Sequence, residues 1–254
     1  MEKNFTNPFE EECSTLGDLE TFVPNAFVED EKVPQSVCNL VLTLALIFND
    51  IRDLYFASLL VQDCKPSGAP QYNRKWGHYA GLNLQVTRLI MGTVHELLKV
   101  IDEQRESVNH SFFRDVEMAL PADIRSDWRE VVNVACGDSS QKLGKLLLQI
   151  RNNATFHYSP KAIEKGFKKH FLTSKDGVQR AYLSRGERDT MQGWRFYFSD
   201  AAVEGLVSDI AGSASDALET EFHKLLDIVS LPLGRIVTSF IQKRGFAFRA
   251  ESTS

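Results

Sequence analysis

Cysteine is scarce in this sequence, and its four residues lie far apart. Cys13, Cys38, Cys64 and Cys136 form no CxxC pair, and none has a histidine at metal-ligand spacing. A disulfide framework or a structural zinc site needs paired or clustered cysteines. The sequence therefore predicts free thiols, no metal or other cofactor, and a reducing compartment, which we expect to be the cytoplasm.

Long hydrophobic runs are also missing. The longest, residues 40–48, ends at Asn49 and is shorter than the about 20 residues that span a bilayer. The first residues are acidic and lack the basic start and apolar core of a signal peptide. These absences predict a protein without a membrane partner.

Common catalytic motifs are absent as well. There is no glycine-rich phosphate loop and no serine or cysteine nucleophile motif. The stretch HELLK, residues 95–99, begins like a zinc-protease motif but has Lys99 where the second histidine would stand. The chemistry must therefore be sought in less regular clusters.

Charge is distributed unevenly along the chain. Residues 1–32 have nine acidic and two basic side chains, whereas residues 142–188 have eleven basic and three acidic ones. A basic region of this kind predicts an anionic partner. An ordinary lysine-rich face in solvent is the alternative interpretation.

The acidic N-terminal segment also contains apolar side chains that a purely solvated tail would not need. These are Phe5, Phe9, Phe22, Val23 and Phe27. We therefore expect part of residues 1–32 to dock on the body. Docking beside the basic region, in competition with its partner, and docking elsewhere as a structural arm both remain open.

Apolar residues recur at helical spacing through most of the chain. We expect helices over residues 34–63, 76–104, 107–119 and 122–135, then one capped by Asp138 that runs into residues 149–160. Ser159-Pro160 should begin another helix, Ser199 should cap one to about residue 230, and Pro232 should open the last. The fold class expected is a mainly α-helical bundle with a small β-hairpin and C-terminal helices.

The hairpin is expected between residues 178–184 and 194–199, where Trp194, Phe196 and Phe198 alternate with the period of a strand. Alternating aromatics suit a half-buried strand. They could also stack on nucleic-acid bases, which is the functional alternative.

The stretch QIRNNATFHYSP, residues 149–160, combines groups that can bind phosphate and move a proton. Arginine can donate two parallel hydrogen bonds to a phosphate, and histidine titrates near neutral pH. Together they suffice for metal-free RNA cleavage, in which the neighbouring 2′-hydroxyl attacks phosphorus. On an ideal helix His157 lies on the buried stripe, whereas Arg151 is roughly 120° away. A core histidine beside a surface arginine is the alternative.

Three arginines are followed by a histidine at similar spacing. Arg88 precedes His95 within an apolar helix, and Arg105 precedes His110 but is followed by Glu106, which would repel phosphate. Arg151 precedes His157, is followed by Asn152, and lies in the basic region. The last pair is the strongest candidate.

IRNNATFHY, residues 150–158, resembles the signature of the HEPN superfamily, in which an arginine, usually followed by a polar residue, is separated from a histidine by four to six intervening residues. The resemblance implies a helical bundle over about residues 34–172, often dimeric, and a metal-independent ribonuclease of a toxin–antitoxin or phage-defence system. It implies Arg151, Asn152 and His157 as catalytic residues and RNA as substrate. A homodimer and an antitoxin or regulatory partner are also implied.

The sequence predicts three regions: an acidic arm (1–32), a helical bundle (33–172), and a β-hairpin with C-terminal helices packed on the same domain (173–254). The function expected is an endoribonuclease. A non-catalytic, HEPN-like interaction or regulatory module is the alternative. The residues expected to bind the RNA backbone are Lys145, Lys161, Lys165, Lys168 and Lys169.

Overall fold

The computed structural model describes residues 16–17, 20–70, 73–137, 140–155, 159–173, 181–185, 194–212 and 215–250. The first elements in chain order are β1 (Glu20–Thr21), a 3₁₀ turn (Pro24–Phe27), α1 (Gln35–Asp63), α2 (Arg74–Glu103), α3 (Arg105–Asn109), α4 (Ser111–Met118) and α5 (Ala122–Cys136). They are followed by α6 (Ser140–Ile150), α7 (Pro160–Phe167), β2 (Ser184–Arg185), β3 (Trp194–Arg195), α8 (Tyr197–Ala211), α9 (Ser215–Lys243) and β4 (Arg249–Ala250). The predicted mainly α-helical fold is confirmed.

The two long helices α1 and α2 pack against each other. α1 begins directly after Pro34, as predicted. α2 begins at Arg74 because the Asn73 side chain accepts hydrogen bonds from the backbone N–H groups of Lys75 and Trp76. Such a cap satisfies donors that have no partner within the helix.

The main core is formed by residues from α1, α2, α4, α5, α6 and α9. Large side chains from these helices, such as Leu44, Leu97, Trp128, Leu147 and Phe240, are almost completely buried. The last long helix therefore belongs to the same core as the first. Burial of apolar surface of this kind is the dominant force that holds a fold together.

A close helix pair supports the region after the motif. α7 lies against α8, and a Cβ added to Gly166 would lie 2.1 Å from the carbonyl oxygen of Ala202. A Cβ added to Gly205 would lie 2.5 Å from the carbonyl oxygen of Gly166. The two backbones approach this closely only because both positions are glycine.

Several predicted boundaries are wrong, each for a local reason. The helix expected over 107–119 is two helices, because His110 has extended backbone and its Nδ1 accepts a hydrogen bond from the N–H of Phe112. Pro232 lies inside α9, where its ring is buried, and does not open a new helix. The helix expected from Ser199 to about residue 230 begins at Tyr197, and α8 ends before Gly212, which has positive φ.

The β-hairpin is confirmed but is shorter than predicted. Ser184 pairs with Arg195, and Arg185 pairs with Trp194. The alternation expected to continue to Phe198 stops because α8 begins at Tyr197, whose ring is buried against Tyr182 and Gly77. Residues 186–193 lie outside the described part of the chain.

Part of the acidic segment docks on the body, as predicted. β1 pairs antiparallel with β4, and Phe27 stacks on Phe240 of α9. Arg244 donates hydrogen bonds to the carbonyls of Ala26 and Val28 and forms an ion pair with Asp30. Residues 20–33 are thus a structural arm on α1 and α9. Residues 1–15, which hold many of the acidic side chains, lie outside the described residues.

One described segment, Phe222–Lys243 in α9, is long and apolar enough by length and composition to cross a membrane. Its Phe222, Leu225, Val229 and Leu233 side chains are buried in the main core. Core packing accounts for this composition.

Candidate functional site

The helix that leads into the motif changes its hydrogen-bonding pattern at Arg151. α6 ends at Ile150, and Arg151–Thr155 form a π-helical turn. Widened turns of this kind are frequent at functional sites. The regular rotation of about 100° per residue, used to place Arg151 relative to His157, therefore does not hold across the motif.

Thr155 fastens the widened turn to α2. Its side chain is buried, and its Oγ1 lies 3.2 Å from the carbonyl oxygen of Arg88 and 3.4 Å from that of Ile150. On the preceding helix, Leu143 and Leu147 are buried, as the apolar stripe predicts. The backbone of Arg151 thus lies between a buried helix and a buried anchor, which limits its movement.

Arg151 forms an ion pair with Glu96 of α2. Its Nε lies 2.9 Å from Glu96 Oε1, and the two side chains are 27% and 33% exposed. The N–H does not point at the oxygen well enough for an aligned hydrogen bond, so the contact is mainly Coulombic. Partial burial reduces screening by water and makes this pair stronger than a fully exposed one.

Asn152 orients the other side of the guanidinium. Its Oδ1 accepts a hydrogen bond from Arg151 Nη1 at 3.0 Å. Glu96 and Asn152 together hold the planar group between them. The arrangement can present a fixed cation to an anion, and a bound phosphate would join or replace these two partners.

His95 lies next to Glu96 on α2 and was not selected from the sequence. Its ring is half-buried, and its Nδ1 is buried with no hydrogen-bond partner among the described residues. Desolvation lowers the pKa of His95 from its ordinary value of 6.5, and the cations Arg151 and Lys99 lower it further, while Glu96 opposes them. The imidazole is therefore neutral near pH 7.

The predicted RNA-binding lysines are at the surface, and several are in ion pairs. Lys165 and Lys169 lie 2.5 Å and 3.3 Å from the carboxylate of Asp209 on α8, and their hydrogen bonds lower the pKa of Asp209. Lys168 pairs with Glu164 at 2.6 Å.

The other two lysines, Lys145 and Lys161, are exposed on α6 and α7. An acidic side chain lies beside each of Lys165, Lys168 and Lys169, so the basic region is partly neutralised where α7 meets α8.

His157, together with Phe156 and Tyr158, lies outside the described residues. The pairing of Arg151 with His157 therefore stays a prediction. Arg105, from the rejected pair with His110, donates hydrogen bonds to Asp102 at the end of α2 and to the carbonyl of Cys136. Among the described residues, no group of three histidine, cysteine or acidic side chains could hold a metal ion.

Sequence reasoning found Arg151 and Asn152 but missed Glu96 and His95. The sequence holds a weak signal, since Arg88 and His95 match the spacing and HELLK contains both His95 and Glu96. Neither pattern indicates contact with another helix. Only the packing of α2 against the π-helical turn brings the residues of HELLK to Arg151.

No protein-family model, curated protein or solved structure matches this chain.

Proposed function

We propose that this protein is a metal-independent RNA endonuclease, of a toxin or phage-defence type, that acts in the cytoplasm. The observation that carries the proposal is the position of Arg151. It stands on a widened turn at the end of a buried helix, oriented by Glu96 and Asn152 and still partly exposed. The resemblance of IRNNATFHY to the HEPN signature supports the same function.

In the proposed reaction, Arg151 binds the scissile phosphate and neutralises the charge that grows on its oxygens. The 2′-hydroxyl oxygen of the same nucleotide attacks phosphorus, and the bond from phosphorus to the 5′-oxygen breaks. His157 transfers a proton during this step. Asn152 adds a polar contact to Arg151 or to the substrate. The products are a 2′,3′-cyclic phosphate end and a 5′-hydroxyl end.

The lysines of α6 and α7 supply the sequence-independent part of RNA binding in this proposal. Contacts between cations and phosphates depend on salt, because binding releases counterions from the nucleic acid. The candidates are Lys145 of α6, Lys161 and Lys165 of α7, and Lys168 and Lys169 directly after α7; Lys165, Lys168 and Lys169 bind RNA in competition with Asp209 and Glu164.

The test is cleavage of a labelled single-stranded RNA of mixed sequence, with and without EDTA. Cleavage should survive EDTA and leave a cyclic phosphate or a 3′-phosphate. His157→Ala should lower the rate by about 10²–10⁴-fold, which is the usual cost of losing a general acid or base. Loss of cleavage in EDTA, or an unchanged rate in His157→Ala, would contradict the mechanism.

We also propose that the protein is a homodimer in which two motifs contribute to one site. An isologous interface would place the motif helix beside its copy. One chain has a mass of 28.7 kDa. Light scattering at the assay concentration should give twice this mass. A monomer that retains full activity would exclude a shared site.

A second candidate function is a non-catalytic interaction module, for example a regulatory or antitoxin-like partner. The ion pair between Arg151 and Glu96 favours it, because a neutralised arginine binds phosphate less readily. A folded wild-type chain that binds RNA or a protein partner but never cleaves RNA is the outcome that this candidate predicts.

A further inference from the structure

We propose that the outer face of the β-hairpin, formed by Arg185, Trp194 and Phe196, binds single-stranded nucleic acid by stacking its bases on the two rings. The alternating aromatics of residues 194–198 leave this interpretation open beside that of a half-buried strand. The inference goes beyond the proposed function, because binding on this face requires no cleavage. It shares with that function only the class of ligand.

The inner face of the hairpin is fastened to α2. The Tyr197 ring lies against Gly77, where an added Cβ would be 2.6 Å from it. The Arg195 guanidinium lies against Gly81 in the same way, about one turn further along α2. The Tyr197 hydroxyl also donates a hydrogen bond to the carbonyl oxygen of Arg74 at 3.3 Å. These contacts determine which face of the hairpin is turned away from the fold.

The outer face brings two aromatic rings and a cation together. Side chains alternate between the two faces of a strand, so the residues that flank Arg195 point outward. These are Trp194 and Phe196, whose ring centres are 6.1 Å apart. Arg185 pairs directly with Trp194 across the hairpin, which places it on the same face. Its guanidinium carbon lies 5.0 Å from the centre of the Trp194 ring.

The two rings are open to solvent although the core does not use them. Neither Trp194 nor Phe196 belongs to the hydrophobic clusters that the described residues form. Phe196 is 45% exposed, and Trp194 is half-buried. Because apolar rings are more stable away from water, a ligand that covers them gains binding free energy. A nucleic-acid base has a flat π-face that can cover an aromatic ring in this way.

The charge around the hairpin favours nucleic acid over a protein partner. Arg185 and, at the start of α2, Arg74 and Lys75 are exposed cations. Among the described residues of the hairpin, the first turn of α8 and the first half of α2, Asp200 is the one acidic side chain, and it is held in an ion pair at 2.8 Å. The net charge stays positive when residues 186–193, with two acidic side chains and one basic one, are counted. Cations beside aromatic rings bind the phosphates of a strand whose bases stack on the rings.

The experiment compares two fluorescently labelled 2′-O-methyl oligoribonucleotides of about eight nucleotides by anisotropy. One has bases of mixed sequence, and the other has the same backbone without bases. The 2′-O-methyl group blocks the hydroxyl that the proposed cleavage needs, so binding is measured without cutting. The abasic strand keeps every phosphate but offers nothing to stack. Wild type should bind the base-containing strand more tightly.

Phe196→Leu removes the aromatic face and keeps an apolar side chain. We expect it to weaken binding of the base-containing strand by about 5–150-fold, which is the usual effect of losing one base-stacking ring, and to leave the abasic strand unaffected. Phe196→Tyr keeps the ring and should bind as wild type does. Tyr55→Leu is the matched control, since Tyr55 is an aromatic residue of α1 that is 62% exposed. It should bind both strands as wild type does.

Tryptophan fluorescence gives a readout that does not depend on a Phe196 variant. The base-containing strand should quench the emission of wild type, and Trp194→Phe should lose this quenching. An absence of quenching would overturn the inference. Equal affinity of wild type for the two strands would also overturn it and leave the outer face to a protein partner, as would an undiminished preference for bases in Phe196→Leu that circular dichroism shows to be folded.

The outcomes separate this inference from the proposed function. If wild type prefers the base-containing strand through Phe196 but cleaves no unmodified RNA, the inference stands and the proposed function fails. If wild type cleaves RNA and His157→Ala does not, while Phe196→Leu binds both strands as wild type does, the inference is wrong and the proposed function stands.

Discussion

The guanidinium of Arg151 lies between an anion and a neutral acceptor. Glu96 neutralises much of its charge at 2.9 Å, whereas Asn152 orients it without changing its charge. A bound phosphate must share the cation with Glu96 and feels the repulsion of that carboxylate. Glu96 therefore limits how tightly the site can hold RNA.

Glu96→Gln should strengthen RNA binding, because it removes a negative charge beside the phosphate and keeps the shape of the side chain. Two charges about 4 Å apart interact by about 1 kcal/mol in water and more when partly buried. We expect about a fivefold or larger gain in affinity at low salt, shrinking as salt screens the charges. Fluorescence anisotropy with a labelled single-stranded RNA measures it.

Glu130→Gln is the matched control for this change. Glu130 also forms an ion pair, with Lys224 of α9 at 2.5 Å, between α5 and α9. Its neutralisation should leave RNA affinity nearly unchanged. Equal affinities of Glu96→Gln and wild type at low salt would show that phosphate does not bind at Arg151.

At this scale the sequence predicts the cation and its neighbour Asn152 but not its ion-pair partner Glu96. Arg151 and Asn152 follow from their types and spacing. Glu96 is 55 positions away in the chain, and the pair exists only because α2 packs against the π-helical turn. A contact of this kind depends on tertiary structure and leaves no periodic pattern in the sequence.

At the scale of elements, the close approach of α7 and α8 determines where the helix after the motif lies. The contact depends on two glycines, Gly166 and Gly205, at which an added Cβ would collide with backbone atoms. Backbone cannot move aside as a flexible side chain can. The pair therefore fixes the lysines of α7 relative to the rest of the fold.

Gly166→Ala should destabilise the protein, because its Cβ would lie 2.1 Å from the carbonyl oxygen of Ala202. Overpacking of this kind costs about 1–3 kcal/mol of the free energy of unfolding. Gly144→Ala in α6 is the control, since its Cβ would meet no atom within 4 Å. That change should instead stabilise by up to about 1 kcal/mol through helix propensity.

Urea unfolding followed by circular dichroism compares the two variants. If Gly166→Ala proves as stable as Gly144→Ala, the close packing of α7 on α8 does not hold in solution.

Helices could be predicted wherever an apolar stripe was long. α1, α2 and α5 lie within two residues of the predicted bounds, and Ser159 accepts the expected hydrogen bond from Ala162 at the start of α7. The failures come from tertiary packing. Pro232 suits a first helical position by itself, yet its burial in the core keeps it inside α9.

At the scale of the whole molecule, Arg244 joins the two ends of the described chain. Its side chain is 5% exposed and contacts backbone carbonyls of the 3₁₀ turn as well as the carboxylate of Asp30. The N–H groups of Lys32 and Val33 and the Arg244 guanidinium together lower the pKa of Asp30, with the Lys32 N–H the largest cause. Arg244 therefore holds the arm together with the β1–β4 pairing and the stacking of Phe27 on Phe240.

Arg244→Met should loosen the arm, because it leaves the carbonyls of Ala26 and Val28 without their charged donor. A hydrogen bond from a charged donor contributes roughly 1.5–3 kcal/mol, and the partly buried Ala26 carbonyl is the acceptor that water replaces less readily. Limited trypsin digestion should cut faster after Lys32, and the thermal midpoint should fall. Arg235→Met, at an exposed position of α9, is the control and should change neither. Unchanged digestion of Arg244→Met would mean that the β1–β4 pairing and the aromatic contacts hold the arm without Arg244.

The pairing of β1 with β4 also means that the arm cannot dock until nearly the whole chain has been synthesised. Glu20 leaves the ribosome long before its partner Ala250 exists. At about 5–20 residues per second, the interval is on the order of 10–50 s. Throughout that time Phe22 and Phe27 have no Phe248 or Phe240 to cover them. The nascent chain therefore exposes Phe22 and Phe27 until α9 and β4 emerge. A chaperone that binds aromatic segments would bind this region first.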